Sequence, residues 1–517
     1  MTEQADLVIR ARSIITGINA ASEPEIVENG ALLVRRGLIA AIGDAGDLVA
    51  RYPNLPIEGS DEHVAIPGLV NAHHHSGLTP LQLGVPFAPL ELWLPQFMGM
   101  PHVDPRLDTL YSAVEMLESG TTAVQHIQGG LAGPPVDWSE TANAIIGAYG
   151  EIGMRVSYSF MFRDRNQLVF EDDELFLSRL PQDLHDFFGP ILARSRVPAD
   201  DAVAFFRKLR KDWAGREPER VRVQFAPANL HWCSDVALEE LFAAARSVGA
   251  KLHMHLDETR LQRENANRTT GHSAIRHLHS LGCLGPDLTL GHGIWSDTGD
   301  LDLLAEHGVC LCHNASSGLR LASGIAPVNP ARQRGIKIAL GIDQCGVNDD
   351  RDMLQEMRVA WMIHREPGLF QDRPSAAEIF RMASENGADT TGFEGSIGRL
   401  AVGRAADVVL LDWNSVALPY LDPRTPLLDA LFHRAKHRSV DKVFVGGLRV
   451  VDNGRVCQID RDGLMSEIAG SVSAGKPQSR AMVDRLSREL EAYYRGRGET
   501  EGASRYAFNR FALDSLQ

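Results

Sequence analysis

No stretch of the chain offers the roughly 18 consecutive apolar residues that a membrane-crossing helix needs, so no transmembrane helix is expected. The opening MTEQADLVIRARSII carries two acidic residues and no apolar core behind a basic start, and does not read as a secretory signal. Cysteine is scarce. The chain has six in 517 residues (Cys233, Cys283, Cys310, Cys312, Cys345 and Cys457), with no C-x-x-C pair. That disfavours a zinc knuckle and a disulfide-built secreted scaffold, and suits buried thiols in a reducing cytoplasm. Positive charge is also short: the formal net charge is -15. An acidic surface repels phosphate backbones, so neither nucleic acid nor a membrane surface is an expected partner. Internal repeats and low-complexity tracts are missing as well.

Hydrophobic residues make up 44% and charged residues 23%, the composition of a soluble globular protein. The length exceeds what one ordinary core fills, so more than one structural unit is expected. Short β-rich runs open the chain at Ala5–Arg10, Ala31–Arg35 and Leu38–Ile42, with Gly37 and Gly43 between or after them. From Pro67 the rhythm changes. Strand candidates Val221–Ala226, Lys251–Leu256, Leu288–Gly291, Val309–Cys312 and Ile336–Ile342 alternate with amphipathic helical segments. Examples are Leu107, Leu110, Val114 and Leu117 stopping at Gly120, then Val236–Val248 and Leu301–His307. This is the texture of an α/β parallel array, either a closed eight-stranded barrel or an open doubly wound sheet. The β-rich texture returns at Ala406–Leu411, Lys442–Val445 and Arg449–Val451. Three units are therefore expected: a small β domain from residues 1–66 and 396–462, an α/β unit over 67–395, and a helical extension over 463–517. In that extension Val483, Leu486, Leu490 and Tyr493 mark one amphipathic helix.

Polar residues at the strand ends carry the chemistry. In VAIPGLVNAHHHS (residues 64–76) alternate side chains of a strand share a face, so His73 and His75 point one way and His74 the other. Two imidazoles so placed can bind one metal ion. In Lys251-Leu-His-Met-His-Leu-Asp-Glu258 the apolar face is Leu252, Met254 and Leu256. His253, His255 and Asp257 form the other face, with Glu258 just beyond the strand. Two more apolar strands end, after a glycine, in His292 and near it in Asp343. One metal-compatible or proton-transferring group at each of four successive strand ends is an active-site pattern.

Together the runs PGLVNAHHHS, LHMHLDE, LGHG, CHNASSGLRLASGIAP and LGID resemble the amidohydrolase superfamily, in particular its triazine hydrolase and cytosine/guanine deaminase branch. IGRLAVGRAADVVLLD (Ile397–Asp412) is similar to that family's return into its small β domain, and the likeness spans residues 5–460. The resemblance implies a (β/α)8 TIM-like barrel with a small β-sandwich domain built from both termini. It implies one divalent metal held by His73, His75, His255 and Asp343, with Zn2+ the expected ion and Fe2+ or Mn2+ compatible. It implies Glu258 as proton shuttle and His292 as the group that polarises substrate or water. Val221–Ala226 has no lysine for bridging a second metal. The family's H-N-P-x-S-N run reads His313-Asn-Ala-Ser-Ser-Gly318, and strand 2 carries Gln125 and His126 where relatives have Asp.

The implied chemistry is hydrolysis by a metal-acidified water, with Asp343 taking its proton and Glu258 protonating a ring nitrogen or leaving group. Glu91 and Trp93 in PLELWLPQF, and Asn229, His231 and Trp232 in APANLHW, suit the walls of a pocket for a flat heterocycle, and equally suit ordinary loop packing. The expected reaction is deamination of an aminated N-heterocycle or amidine by a cytoplasmic homo-oligomer. The alternative is hydrolysis of an amide, urea or carbamate, or dehalogenation. A non-enzymatic scaffold would be expected to have lost ligands, and none is missing. A metallo-β-lactamase-type run would need Asp and His where Gly77 and Leu78 stand.

Overall fold

A computed structural model of the chain describes residues 6–131, 133–214, 219–474 and 480–495. Five strands come first: β1 (Leu7–Ile18), β2 (Pro24–Arg35), β3 (Leu38–Asp44), β4 (Ile57–Glu58) and β5 (His63–Pro67). Then follow β6 (Leu69–His74), β7 (Thr121–Gln128), β8 (Arg155–Phe162), β9 (Val221–Val223) and β10 (Ala226–Pro227). A further set is β11 (Leu252–Leu256), β12 (Leu288–His292), β13 (Cys310–His313) and β14 (Ile338–Leu340). The chain closes its strand content with β15 (Val408–Asp412), β16 (Val440–Val445), β17 (Leu448–Asp452) and β18 (Arg455–Val456).

These strands make three sheets. The first joins both ends of the chain in the order β18-β17-β16-β15-β5-β1-β2-β3, with β4 beside β1. Its seam is the antiparallel pairing of β15 with β5, Leu410 opposite Ala65. The other two sheets are parallel: β10-β8-β7-β6 with β9 also on β8, and β11-β12-β13-β14. Single parallel bridges, Phe225 to Leu252 and His74 to Asp343, join residues of one parallel sheet to the other. The α/β expectation of parallel strands alternating with helices is met in this architecture.

Local sequence explains the elements. The parallel strands are covered on one face by helices, which β11 meets with Leu252, Met254 and Leu256, and every residue of β11 and β12 is buried. The helix Pro105–Glu118 starts where Asp104 accepts bonds from the Arg106 and Leu107 amides, with proline in its first turn. It stops before Gly120, whose φ of 87° an L side chain would resist. The helix Thr298–His307 begins in a capping box between Asp297 and Asp300.

Some elements differ from the sequence reading. The strand expected over Val221–Ala226 is split into β9 and β10, both paired with β8, and the stretch between them lies between β8 and β11. The Gln224 amide donates to Tyr158 O of β8, whereas the Phe225 amide donates to Lys251 O beside β11. Helix Arg461–Ala474 was not marked by periodicity, since its small residues blur the stripe that Leu464 and Ile468 bury. In the helix Arg480–Arg495 the buried stripe is Val483, Leu486, Leu490 and Tyr494, so Tyr494 takes the place given to Tyr493. The spacing from Leu490 allows either tyrosine, and Tyr494 is the one turned inward, towards Phe170. The part of the expected extension beyond residue 495 lies outside the described residues.

Candidate active site

The strand ends named from sequence meet in one place. His73 lies near the end of β6 and His75 just beyond it, while His74 turns the other way, its ring 5.5 Å from that of His126. His73 Nε2 is 3.0 Å from His75 Nε2, which is 3.1 Å from His255 Nε2. Asp343 Oδ1 is 3.2 Å from His75 Nε2 and 3.6 Å from His73 Nε2. Three imidazole nitrogens and a carboxylate oxygen converging at this spacing fit the donor set of one tetrahedral ion, whose ligand atoms sit about 3.3 Å apart. Glu258, His292 and Asp343 likewise offer ligand-type atoms within 4.8 Å of one another. His73, His253 and Cys312 do so too, on the Nδ1 side of His73.

Close backbone approach makes this convergence possible. A Cβ added to Gly341 would stand 2.5 Å from the His73 Cβ, and one on Gly291 would stand 3.0 Å from the His73 ring. The glycines that precede His292 and Asp343 in the strands are therefore the space into which His73 packs. His292 and Asp343 themselves adopt left-handed φ values of 74° and 65°. Backbone held there by its surroundings is characteristic of functional sites.

Neighbouring groups orient the ligand-type side chains. His75 Nδ1 lies 2.8 Å from Ile127 O, and His73 Nδ1 lies 2.8 Å from His253 Nε2, so each imidazole presents Nε2 to the centre. Ser317 Oγ donates to Asp343 Oδ2 at 2.6 Å. Burial, reinforced by neighbouring imidazoles, pushes His73 and His255 well below the usual histidine range and keeps their lone pairs free. His292 is lowered to about 4, chiefly by burial. The two carboxyls diverge. Burial acts to raise Asp343, but the His75 hydrogen bond and the charges around it prevail and hold the group well below the carboxylate range. Glu258 is pushed well above its ordinary value by burial and by the negative charges of Asp343 and Glu91. Glu258 Oε2 lies 3.7 Å from His292 Nε2.

These groups border a cavity of about 360 Å³. Glu91, Trp93, His231 and Trp232 line it, as do His75, His255, Glu258, His292 and Asp343. Thr259 Oγ1 donates to Glu91. Asn229 is not among the lining residues. Its Nδ2 donates to Gln262 Oε1 at 3.0 Å and its Oδ1 accepts from the Leu230 amide, so it caps a turn and braces Gln262. Gln262 in turn accepts from the Glu258 amide at 2.9 Å and lines the cavity. Sequence reading missed Gln262, although its place one helical turn past Glu258 was the available signal. It also missed Ser317, which lies inside the CHNASSGLRLASGIAP run, and Arg163 and Tyr494, which lie outside every motif. His126 faces outward, with Nδ1 3.0 Å from the Tyr149 hydroxyl, and Gln125 donates to Ser159.

Known proteins share this arrangement of chain. It is 26% identical over 475 residues to a 5-methylthioadenosine/S-adenosylhomocysteine deaminase of Thermodesulfovibrio yellowstonii, covering 89% of this chain and 96% of that one. It is 28% identical over 462 residues to a 5'-deoxyadenosine deaminase of Methanopyrus kandleri, covering 88% and 96%. Among solved structures it is similar to a zinc-bound adenosine deaminase from Xanthomonas campestris, with TM-score 0.75, 23% identity, and coverage of 94% of this chain and 99% of that one. The zinc complex of an atrazine chlorohydrolase from Arthrobacter aurescens TC1 gives TM-score 0.76, 23% identity, and coverage of 90% and 100%. At these identities the structural likeness concerns the fold. A bacterial imidazolonepropionase-like composite domain matches residues 30–54 alone. The amidohydrolase family matches residues 64–450, and this chain belongs to that family.

Proposed function

We propose that the protein is a metal-dependent aminohydrolase that removes an amino group from an N-heterocycle or amidine and releases ammonia. His73, His75 and His255 through Nε2, and Asp343 through Oδ1, are the residues that hold one divalent ion, with Zn2+ suited to this set and Fe2+ or Mn2+ compatible. When bound, the ion supplies Lewis acidity and a water acidified to near neutrality. Asp343, with Oδ2 tied to Ser317, stays ionised and accepts a proton from the attacking water. Glu258, kept protonated, donates to a ring nitrogen as the carbon beside it is attacked. His292 bears on the charge that develops at that carbon. The proton taken by Asp343 leaves with the amino group as ammonia, and the proton left on the added hydroxyl returns to Glu258 as the carbonyl forms.

The observation that carries this reading is the convergence of three imidazole Nε2 atoms and the Asp343 carboxylate at one cavity, with Glu258 and His292 beside them. The deaminase names of the relatives support the same chemistry. The architectural part of the proposal is a closed (β/α)8 barrel over residues 67–395, a small β-sandwich domain from 1–66 and 396–462, and the extension from 463. The two single bridges between the parallel sheets support closure. That all six cysteines are free supports a reducing, cytoplasmic setting. Leu369 and Phe370, 89% and 97% exposed, are the apolar surface that supports a homo-oligomer.

The test is ammonia release by zinc-loaded protein across aminated pyrimidines, purines, pterins, triazines and amidines, with 5'-substituted adenosines first. Ammonia from one ring class names the substrate. Silence with metal bound overturns deamination and leaves the amide, urea, carbamate or halogenated-ring chemistry of the same site.

A further inference from the structure

The helix Arg480–Arg495 lies beyond the stretch that the amidohydrolase family matches, yet it forms part of the cavity wall. Its inner stripe packs into one apolar cluster with Leu168, Phe170, Leu184 and Phe188. The Tyr494 ring lies 5.9 Å from that of Phe170, and the Phe170 ring lies 4.6 Å edge-on from His231. Val483 packs at Gly99, where an added Cβ would meet its methyl at 3.3 Å. An ion pair of Arg485 with Asp183 ties the helix to the segment Gln182–Ser195.

Two parts of the cavity wall, among a lining that also includes Arg163 and Gln167, differ in composition. One part is the histidine and carboxyl cluster. The other is Met98, Phe170, Ile191, Leu192 and Tyr494, which belong to a single hydrophobic cluster contributed by three separate chain segments and the C-terminal helix. The catalytic groups account for the first part and leave the second without a role in the chemistry.

We infer that this second part is an apolar subsite, closed by Tyr494, that takes a hydrophobic substituent carried by the aminated ring. The inference rests on the aminohydrolase reading for the ring and on the cavity wall alone for the substituent. Burial of each methylene in such a wall is worth a roughly fourfold gain in affinity. The substrate is accordingly an amino-heterocycle with an alkyl, alkylthio or aryl arm rather than a bare base.

The test uses the full-length zinc-loaded protein and 9-alkyladenines bearing methyl, butyl and hexyl arms. Binding is read from quenching of tryptophan fluorescence, since Trp93 and Trp232 line the cavity. Affinity is expected to climb with arm length in the natural protein and in Tyr494→Phe. The climb flattens in Tyr494→Ala, with roughly tenfold loss of the hexyl-over-methyl preference. Tyr494→Trp, which fills the subsite, reverses the preference towards methyl, so the result does not depend on the alanine variant folding. An arm-length dependence unchanged by all three variants, no dependence at all, or a preference for a carboxylate-tipped arm (the choice Arg163 on the same wall would favour) overturns the inference. Ammonia release is read on the same series. Arm-dependent binding without ammonia keeps the subsite and removes adenines as the deaminated ring; ammonia without arm dependence keeps the deaminase reading and removes the subsite.

Discussion

At the scale of single residues, His253 is the side chain whose importance the motifs understate. It sits on the inward face of β11 with His255, and its Nε2 touches His73 Nδ1 at 2.8 Å. In the proposed metal site it is a positioning residue: a hydrogen bond there holds His73 with Nε2 turned to the centre. His253→Leu is expected to weaken zinc affinity roughly 10–100-fold by chelator competition, and His253→Gln, which can still accept, to recover part of it. The acid and base separate in a second experiment. Glu258→Gln should keep its zinc and lose roughly 10²–10⁴-fold in kcat. Asp343→Asn should keep the fold by circular dichroism and lose turnover altogether. A Glu258→Gln enzyme with near-normal kcat would remove the acid from the mechanism. The meeting of these residues in one place was legible because polar side chains recur at the ends of successive apolar strands. The left-handed backbone at His292 and Asp343 was not legible, since neither residue type calls for it and the surrounding fold holds it.

At the scale of elements, the join between the parallel strands and the terminal sheet rests on a buried ion pair. Arg155 at the start of β8 grips Asp407 beside β15 with Nε at 2.8 Å and an Nη at 2.9 Å, and Asp407 also accepts from the Gly446 amide. Both side chains are almost fully buried. Removing one partner strands the other charge in low dielectric, so Arg155→Met is expected to cost about 3–5 kcal/mol in denaturant melts. Arg155→Met with Asp407→Leu should recover much of that loss; a double variant as unstable as the sum of the singles would contradict the pairing. Helix positions were readable from period and caps, as in Pro105–Glu118 and Thr298–His307. The split of Val221–Ala226 and the helix Arg461–Ala474 were not. The first is a local break in the pairing with β8, and the second lacks a strong stripe. Tyr494 reaches the cavity through tertiary packing that no local pattern encodes.

At the scale of the whole molecule, buried histidines set how stability responds to acid. Burial lowers His126 and His231 to about 3 from the ordinary 6.5, so both are neutral when folded. Between those values the unfolded chain takes up protons that the folded chain refuses, and stability falls as pH drops below 6.5. Each such group contributes up to about 1.4 kcal/mol per pH unit in that window. The melting temperature is therefore expected to fall steadily from pH 7 to pH 5, and less steeply in His126→Phe. The likeness of the ordered strand-end motifs to one family made the global class readable from sequence, and the family match over residues 64–450 bears that out. A deamination served by one divalent ion is checked by titrating Zn2+ into metal-free protein while recording ammonia release from the substrate that the panel identifies. No ammonia is expected without metal, followed by a linear rise that saturates at one equivalent per chain. Ammonia release without metal, or saturation only at two equivalents, would contradict it.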